Sequence, residues 1–161
     1  MFDVTAIGEL LIDMAQSGLS DIGSPVFEAN PGGAPCNVLA MLNKLGRRTA
    51  FIGKVGDDIF GKRLKNIVES SGTDVSGLVF DENIRTTLAF VETDEYGDRN
   101  FSFYRAPGAD MMLREDEVNV DIIKQSRVLH FGTLSMTHDT VEKATAKAIE
   151  TAKDSGLLLS F

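Results

Sequence analysis

The chain has 161 residues, of which 43% are hydrophobic and 25% are charged, and this composition is typical of one globular domain. Its formal net charge of -8 argues against a nucleic-acid partner, because phosphate backbones select basic surfaces. A single cysteine excludes an internal disulfide and favours a reducing compartment. The sequence shows neither a basic-then-apolar leader nor an apolar run of membrane-spanning length, so it predicts a cytoplasmic protein without a membrane partner.

Strands and helices alternate in the first half of the chain. Residues 4–8 form a short apolar run typical of a buried strand, and residues 35–45 have helical character. A second strand is predicted over 49–55, followed by a helical stripe of apolar residues from 59 to 71. A glycine follows each helix, where it can act as a C-terminal cap. This alternation indicates a parallel sheet with helices on its faces.

The alternation breaks between residues 86 and 105. Two strand-like runs there are joined by a polar turn at residues 94–98, which predicts a hairpin without a crossover helix. We assign the hairpin to a second, small antiparallel sheet, which can cover a ligand site as a lid. Its segments are about 13–30 and 86–105, and its predicted strands are 14–18, 26–30, 87–91 and 100–104.

The alternation resumes near the end of the sequence. A strand is predicted over 127–132, a helix over 139–155 and a further buried strand over 157–161. Asp139 and Glu142 have the spacing of a capping box at the start of that helix. Because ligand-bearing loops lie beyond the carboxyl ends of parallel strands, a chain that stops inside such a strand is expected to be a fragment of a larger domain.

The segment Gly32-Gly33-Ala34-Pro35-Cys36-Asn37 carries the strongest chemical signal. Two adjacent glycines leave a strip of backbone without side chains, so a ligand can lie directly on the main chain. Pro35 fits the first turn of a helix, whose free N–H groups attract oxygen-rich or anionic ligands. Taken alone, the same glycines are also explained by a tight turn before a helix.

Together with further motifs, this segment resembles the N-terminal signature of the ribokinase-like (PfkB) carbohydrate kinases, and within them the fructokinases. It runs into Gly53–Gly61, whose glycines belong to the same signature. Gly8–Met14 resembles the family's first strand with its sugar-binding aspartate, 101–113 the fructokinase version of the lid segment, and 131–135 a further strand end. The resemblance implies a three-layer α/β fold, with a parallel sheet, helices on both faces and a small antiparallel β lid, incomplete at the C-terminus. Residues 1–161 are then the N-terminal part of a sugar kinase domain.

The resemblance also implies which residues bind sugar. Asp13 matches the family's aspartate, which accepts hydrogen bonds from two sugar hydroxyls, and the amide of Asn37 can both donate to and accept from hydroxyls. Arg105, at the end of the second lid strand, can hold a sugar hydroxyl or a phosphate oxygen beside the phenylalanine rings. The predicted sugar-binding residues are Asp13, Gly32, Gly33, Asn37, Phe103 and Arg105.

These residues also have simpler explanations. A lone aspartate such as Asp13 is most often a turn or cap residue, and Asn37 can form a local bond at the helix start. Arg105 can equally be a solvated strand-end arginine, an alternative that the sequence leaves open. Phe90 and Phe103 are expected to contribute mainly to the lid core, and the cysteine is expected to be a small buried thiol.

The residues needed for phosphoryl transfer itself are not found in the sequence. The family places its catalytic base in a Gly-Ala-Gly-Asp motif and uses an Asn-x-x-Glu motif for Mg²⁺ and phosphate. The nearest match to the first, Pro107–Asp110, lacks the second glycine. The catalytic aspartate is therefore expected beyond Phe161, together with the sites for ATP and Mg²⁺. The chain alone is expected to bind sugar weakly and to transfer no phosphate.

The resemblance favours a fructokinase, an ATP-dependent enzyme that phosphorylates a primary hydroxyl of a ketohexose, and it implies that the lid can pair two subunits. A 2-keto-3-deoxygluconate kinase shares the aromatic-arginine lid pattern and remains an alternative. A second alternative is a non-catalytic lid or dimerisation module. A third is an unrelated nucleotide-binding domain that uses Gly56–Lys62, although Arg63 replaces the magnesium-binding serine or threonine of a phosphate loop. His130 and His138 have no partners at metal-ligand spacing.

Overall fold

In residues 1–93 and 98–161, which the computed structural model describes, the strands form two β-sheets. The strands in chain order are β1 (Phe2–Ile7), β2 (Leu11–Leu19), β3 (Pro25–Gly32), β4 (Thr49–Gly56), β5 (Thr73–Asp81), β6 (Leu88–Thr93), β7 (Arg99–Tyr104), β8 (Ser126–Phe131) and β9 (Leu158–Ser160). The helices are α1 (Ala34–Lys44), α2 (Ile59–Ser70), α3 (Val120–Lys124) and α4 (Asp139–Asp154). Short 3-10 turns span Ala109–Met112, Glu115–Glu117 and Thr133–Met136.

The larger sheet is parallel and forms the body of the molecule. Its strand order is β5-β4-β1-β8-β9, and each neighbouring pair runs parallel. Successive residues of β4 point to opposite faces, so Ile52 packs with residues of α3 and α4, whereas Phe51 and Val55 pack with residues of α1 and α2. The body therefore has three layers, as predicted, with helices on both faces of the sheet.

Apolar residues at helical spacing attach the helices to the sheet. The helix predicted over 139–155 is confirmed, and its apolar stripe faces the sheet: residues 141, 144, 148 and 152 are buried and Ile149 is partly buried. Three of these four residues are alanines, so the backbone of α4 can lie close to the sheet. No helix within the described ranges is long and apolar enough to cross a bilayer.

The smaller sheet, here called the lid sheet, has the strand order β3-β2-β6-β7. The pairs β2–β3 and β6–β7 are antiparallel, so the predicted hairpin and its predicted partner strands are confirmed. The pair β2–β6 is parallel, because the chain runs through the body sheet between these two strands and no direct turn joins them. Residues 94–97 of the predicted turn lie outside the described residues.

The structure adds elements that the sequence pattern does not predict. β5 is an edge strand whose polar residues interrupt any long apolar run, and α3 has only five residues. The capping box predicted at Asp139 is wrong, because the residue that caps α4 is His138. Its Nδ1 accepts a hydrogen bond from the backbone N–H of Thr140 at 3.2 Å.

Candidate functional site

A half-buried carboxylate marks the site. Asp13 lies in β2, the first strand of the lid sheet after the chain leaves β1. Among residues 1–93 and 98–161, no backbone or side-chain donor is hydrogen bonded to this carboxylate, and burial raises the pKa of Asp13 above its usual value. A buried charge is costly unless it is paired or hydrogen bonded, so this position suits a ligand that donates hydrogen bonds.

Asp13 belongs to a row of residues on one face of the lid sheet. It pairs with Asn30 of β3 and with Ala89 of β6, and Ala89 pairs with Phe103 of β7. Directly paired residues share a face of the sheet. Phe103 is 51% exposed, and its ring stacks on that of Phe101 with the two centroids 6.0 Å apart. This face therefore presents a carboxylate, an amide and two aromatic rings.

The lid core lies on the opposite face. The ring of Phe90 packs between those of Phe27 and Tyr104, with centroid distances of 5.3 Å and 5.1 Å. The prediction of a lid-core role is therefore confirmed for Phe90. It is wrong for Phe103, because the partner of Phe103 in β6 is the neighbour of Phe90 and adjacent residues of a strand point to opposite faces.

The two glycines bring bare backbone beside Asp13. A Cβ atom on Gly32 would lie 2.8 Å from the Cγ of Asp13, so any side chain there would displace the carboxylate. Gly33 has a φ of 122°, and a Cβ atom on it would lie 2.5 Å from the carbonyl oxygen of Glu9. Glycine alone meets both demands. The strip of main chain expected from the sequence is therefore present, and it adjoins Asp13.

Glu9 occupies the N-terminus of α1. The residue is 3% exposed, and its Oε1 accepts a hydrogen bond from the backbone N–H of Ala34 at 2.8 Å. Burial raises the pKa of Glu9, and hydrogen bonds from its own backbone and from that of Ala34 offset this effect only in part. The prediction that the start of α1 offers free N–H groups is therefore wrong for Ala34.

Asn37 lies one turn into α1, next to the same glycines. It is exposed, and its side chain forms no hydrogen bond with the described part of the chain, so the alternative of a local bond at the helix start is not observed. With Pro31, Gly32 and Cys36, it lines a cavity of about 70 Å³ between α1 and α2. Asp13 and Asn37 thus both adjoin Gly32. Cys36 is buried, as predicted, and burial raises the pKa of its thiol.

Arg105 binds the protein itself. Its side chain is 10% exposed, and its Nε donates to Oδ2 of Asp110 at 2.8 Å. Nη1 donates to Oγ1 of Thr137 at 3.1 Å, and Nη2 donates to the carbonyl oxygen of Leu134 at 3.1 Å. Nη2 also lies 2.7 Å from Oδ2 of Asp110. The alternative of a solvated arginine is therefore wrong, and a sugar contact of Arg105 stays a prediction.

An aspartate occupies the N-terminus of α2. Oδ1 of Asp58 accepts hydrogen bonds from two backbone N–H groups of the first turn at 2.9 Å and 3.0 Å. The same carboxylate accepts hydrogen bonds from the backbone N–H and from the hydroxyl of Thr86, both at 2.8 Å. Lys62 pairs with Asp57 at 2.8 Å. The alternative phosphate loop at 56–62 therefore has its first N–H donors and its lysine engaged by carboxylates.

Replacing Asp58 with alanine is expected to lower the free energy of unfolding by about 1–2 kcal/mol, the usual cost of losing an N-terminal cap. Burial raises the pKa of Asp58, but hydrogen bonds from Thr86 and from the first turn of α2 have the larger combined effect. The pKa of Asp58 therefore lies below its usual value. This stabilisation is therefore present above the pKa of the unfolded chain and is lost as the pH falls through the lowered pKa. Urea unfolding at neutral and acid pH measures both effects.

Asp57→Ala is the matched control for Asp58→Ala. Asp57 has a side chain that is 43% exposed and pairs with an exposed lysine, so its loss is expected to cost about 0–1 kcal/mol. An Asp57→Ala variant that loses as much stability as Asp58→Ala would contradict the assignment of Asp58 as the cap.

Other cavities and metal-ligand residues do not extend this site. A groove of about 1020 Å³ runs along α2 and reaches Ala29, but its lining includes none of the six predicted sugar-binding residues. Within residues 1–93 and 98–161, no group of three or more His, Cys, Asp or Glu side chains is placed to hold a metal ion. His130 instead contacts the hydroxyl of Ser160 at 3.0 Å.

Sequence reasoning missed the buried polar residues that support the site. Glu9, Thr87 and Asp110 are at most 3% exposed. The available signal is a charged residue inside an apolar segment, such as Asp110 within the segment 109–113. A charged side chain is almost never fully buried unless it is paired, so that pattern predicts that a partner exists but does not identify it.

Comparisons with known proteins identify the family. The model of a family described as "pfkB family carbohydrate kinase" matches residues 1–160 of this chain. The chain is 46% identical over 160 residues to the probable fructokinase-5 of Arabidopsis thaliana, and the match covers 98% of this chain and 49% of that protein. The chain thus spans about half the length of the curated relatives it matches.

Solved structures share the fold. The fructokinase from Xylella fastidiosa with bound ATP has a TM-score of 0.92 and 31% identity, over 100% of this chain and 51% of that one. A putative ribokinase II from E. coli in complex with ATP and Mg²⁺ has a TM-score of 0.90 and 27% identity, over 100% of this chain and 52% of that one. The ribokinase-like fold expected from the sequence is therefore confirmed. Because the family match runs from residue 1 to residue 160, the chain belongs to the pfkB family of carbohydrate kinases.

Proposed function

We propose that the chain forms the sugar-binding part of a fructokinase, which transfers phosphate from ATP to a primary hydroxyl of a ketohexose. The family supports the reaction class, and one geometric observation supports the site. The half-buried carboxylate of Asp13 lies against the bare backbone of Gly32 and has no hydrogen-bond donor among the described residues. Sugar hydroxyls are donors, so a ketohexose supplies what this carboxylate lacks.

Each of the other contacts has its own chemical role in this proposal. Gly32 and Gly33 let the sugar lie against the main chain, because no side chain covers them. The amide of Asn37 donates to one hydroxyl and accepts from another on the far side of Gly32. The exposed ring of Phe103 packs on the apolar face of the sugar, on the same side of the lid sheet as Asp13.

ATP and Mg²⁺ belong to the proposal, although no residue of this chain is assigned to them. The relatives whose structures contain ATP support ATP as the phosphoryl donor. In the described part of this chain, Glu9 and Asp58 occupy the N-termini of α1 and α2, which therefore do not fit a nucleotide phosphate. In our proposal, the donor site and the catalytic base belong to the part of the relatives' length that this chain does not span.

The proposal extends to assembly and compartment. The lid sheet pairs two copies of the chain, and exposed apolar residues on it support this pairing: Leu19 is 66%, Val26 41% and Tyr104 69% exposed. The compartment is the cytoplasm, and the free, buried thiol of Cys36 is consistent with a reducing environment.

Calorimetric titration of the chain with fructose tests the proposal. Asp13→Asn keeps the shape of the side chain but replaces a charged acceptor with a neutral amide. The fructose affinity is expected to fall by about 10- to 100-fold, because a hydrogen bond to a charged group contributes about 1.5–3 kcal/mol. Asp21→Asn changes an exposed aspartate in the turn between β2 and β3, and this control is expected to bind fructose like the wild type.

Acid provides an independent check on Asp13. The charged form accepts the sugar hydroxyls, so affinity is full above the pKa of Asp13 and is lost as the pH falls through it. Because burial raises that pKa, the loss is expected at a higher pH than for an ordinary aspartate. The Asp13→Asn variant is expected to lack this pH dependence. An unchanged affinity in Asp13→Asn, or a wild-type chain that binds no fructose at any pH, would overturn the proposal.

A further inference from the structure

Two carboxylates bind the residues through which the chain passes from the body into strand β6 of the lid sheet. Thr86 and Thr87 precede β6 and are 4% and 1% exposed. Thr86 donates its backbone N–H and its hydroxyl to Asp58, as described above. The hydroxyl of Thr87 donates to Oδ1 of Asp110, which is itself 3% exposed. Both residues at this entry are therefore fixed by charge-assisted hydrogen bonds.

The exit of the chain from the lid sheet is held by the same Asp110. Arg105 follows β7 and binds Oδ2 of Asp110 through Nε and Nη2, at 2.8 Å and 2.7 Å. The guanidinium also reaches the loop after β8, where it donates to Leu134 and Thr137 at 3.1 Å each. Asp110 thus joins the entry to the exit, and Arg105 ties both to the body.

Arg105, Asp110 and Thr87 are closely packed around Gly108. A Cβ atom on Gly108 would lie 2.8 Å from Oδ1 of Asp110 and would overlap the hydroxyl of Thr87. Three of the five N–H donors of Arg105 form hydrogen bonds with protein acceptors, and Nη2 also lies within ion-pair distance of Asp110. Turning Arg105 toward a ligand would leave the charge of Asp110 buried and uncompensated, which is a costly state.

The cluster of Arg105, Asp110 and Thr87 connects to Asp13 through the backbone. The carbonyl oxygen of Thr87 accepts the backbone N–H of Ile12 at 3.0 Å, and Ile12 directly precedes Asp13. Asp13 itself pairs with Ala89, two residues beyond Thr87. A displacement of Thr87 therefore moves the strand that carries Asp13.

We propose that Arg105 and Asp110 are positioning residues: with Thr87 they form a lid latch that fixes the angle of the lid sheet, and with it Asp13, relative to α1 and the body sheet. Arg105 then acts on the sugar through Asp13 and not through a contact of its own. The inference rests on the proposed function for the identity of the ligand. The latch itself is a property of the sugar-free chain.

Hydrogen exchange of the sugar-free chain tests the latch. Thr137→Val removes the hydroxyl that accepts from Nη1 and donates to the carbonyl oxygen of Leu134 at 2.9 Å, and it leaves the pair of Arg105 and Asp110 intact. The amides of β6 and β7 are expected to exchange about fivefold faster, the contribution of one hydrogen bond, while those of β1 and β4 are unchanged. Thr137→Ser keeps the hydroxyl and is expected to restore the wild-type exchange. Unchanged exchange of the lid strands in Thr137→Val would overturn the latch.

Arg105→Gln provides the second arm of the test. It is expected to accelerate exchange in β6 and β7 more than Thr137→Val does. Adding Thr137→Val to Arg105→Gln is expected to have no further effect, because the hydroxyl acts through the arginine. Arg127→Gln is the matched control, since that side chain is 70% exposed and lies 3.5 Å from its partner Asp3. Additive effects, or equal exchange in Arg105→Gln and Arg127→Gln, would overturn the latch. If Arg105→Gln unfolds the chain, the two Thr137 variants decide the question.

Fructose titration separates the latch from the proposed function. Thr137→Val is expected to weaken fructose binding about fivefold, and Thr137→Ser is expected to leave it unchanged. Asp13→Asn is expected to lose fructose affinity while its lid strands exchange as in the wild type. Lid strands that respond as expected in a chain that binds no fructose would support the latch and contradict the proposed function. A loosened lid in Thr137→Val with full fructose affinity would contradict the positioning role alone.

Discussion

Replacing Lys54 with methionine is expected to lower the free energy of unfolding by about 3–5 kcal/mol, because carboxylates stay buried without their cation. Lys54 is 3% exposed in β4, and its Nζ lies 2.9 Å from Oδ2 of Asp81 and 3.0 Å from Oε1 of Glu117. Nζ also donates to the carbonyl oxygen of Met112 at 3.2 Å. These contacts tie two body strands to the segment after the lid sheet, so their loss reaches the whole fold. Urea unfolding followed by circular dichroism measures the change.

Lys65→Met is the matched control for Lys54→Met. The side chain of Lys65 is 38% exposed and pairs with Glu69 on the next turn of α2 at 3.3 Å, a contact that contributes about 0.3–0.5 kcal/mol. Two variants of equal stability would refute the role of the buried network.

Acid unfolding tests the contribution of the Asp81 carboxylate to the same network. Burial raises the pKa of Asp81, but hydrogen bonds from Lys54 and from the backbone that follows β5 have the larger combined effect. The pKa of Asp81 therefore lies below its usual value. The stabilisation is therefore present above the unfolded pKa and is lost as the pH falls through the lowered pKa. Without Lys54, the pKa of Asp81 lies closer to its unfolded value. The acid dependence of the Lys54→Met variant is accordingly expected to be shallower.

The spacing of apolar residues predicts the elements whose burial is regular. α1, α2 and α4 each carry a stripe that meets the sheet, and β1 and β4 contain buried apolar runs because both faces of the body sheet are covered. β5 escapes this pattern, since it lies at the edge of the sheet and mixes polar with apolar residues. The parallel pairing of β2 with β6 also escapes it, because pairing between distant strands depends on the path of the chain through the body.

The candidate site is predictable where its parts are close in sequence or share a motif. Asp13 and Gly32 meet because β2 and β3 are adjacent and antiparallel, with Leu11 opposite Gly32. The environment of Arg105 is not predictable in this way. Its acceptors at Leu134 and Thr137 lie in the loop after β8, where no periodic pattern indicates a contact with the lid. Burial of a charged group can be suspected from sequence, whereas the identity of its partner is a tertiary property.

Replacing Gly33 with alanine is expected to lower the free energy of unfolding by about 2–5 kcal/mol, the sum of a backbone cost and a packing cost. The backbone cost arises because the φ of Gly33 is 122°, a conformation that side-chain-bearing residues rarely adopt. The packing cost arises because the new Cβ atom would lie 2.5 Å from the carbonyl oxygen of Glu9. Urea unfolding gives the stability, and fructose titration of the folded variant gives the effect on the site.

Gly46→Ala is the control for Gly33→Ala at a glycine that has open space around it. Gly46 has a φ of 77°, and a Cβ atom on it would meet nothing within 4 Å. It therefore carries only a backbone cost, about 1–2 kcal/mol. The larger loss expected in Gly33→Ala combines the contact with Glu9 and the less accessible φ of 122°. That contact is with a carbonyl group, so it can be relieved only by moving the loop after β1 or the start of α1. Either movement draws the bare backbone away from Asp13, and fructose affinity is expected to fall in Gly33→Ala and to persist in Gly46→Ala. Equal losses of stability, with fructose affinity retained in both variants, would contradict a role of Gly33 in the sugar site. Gly33 would then only form a tight turn before α1.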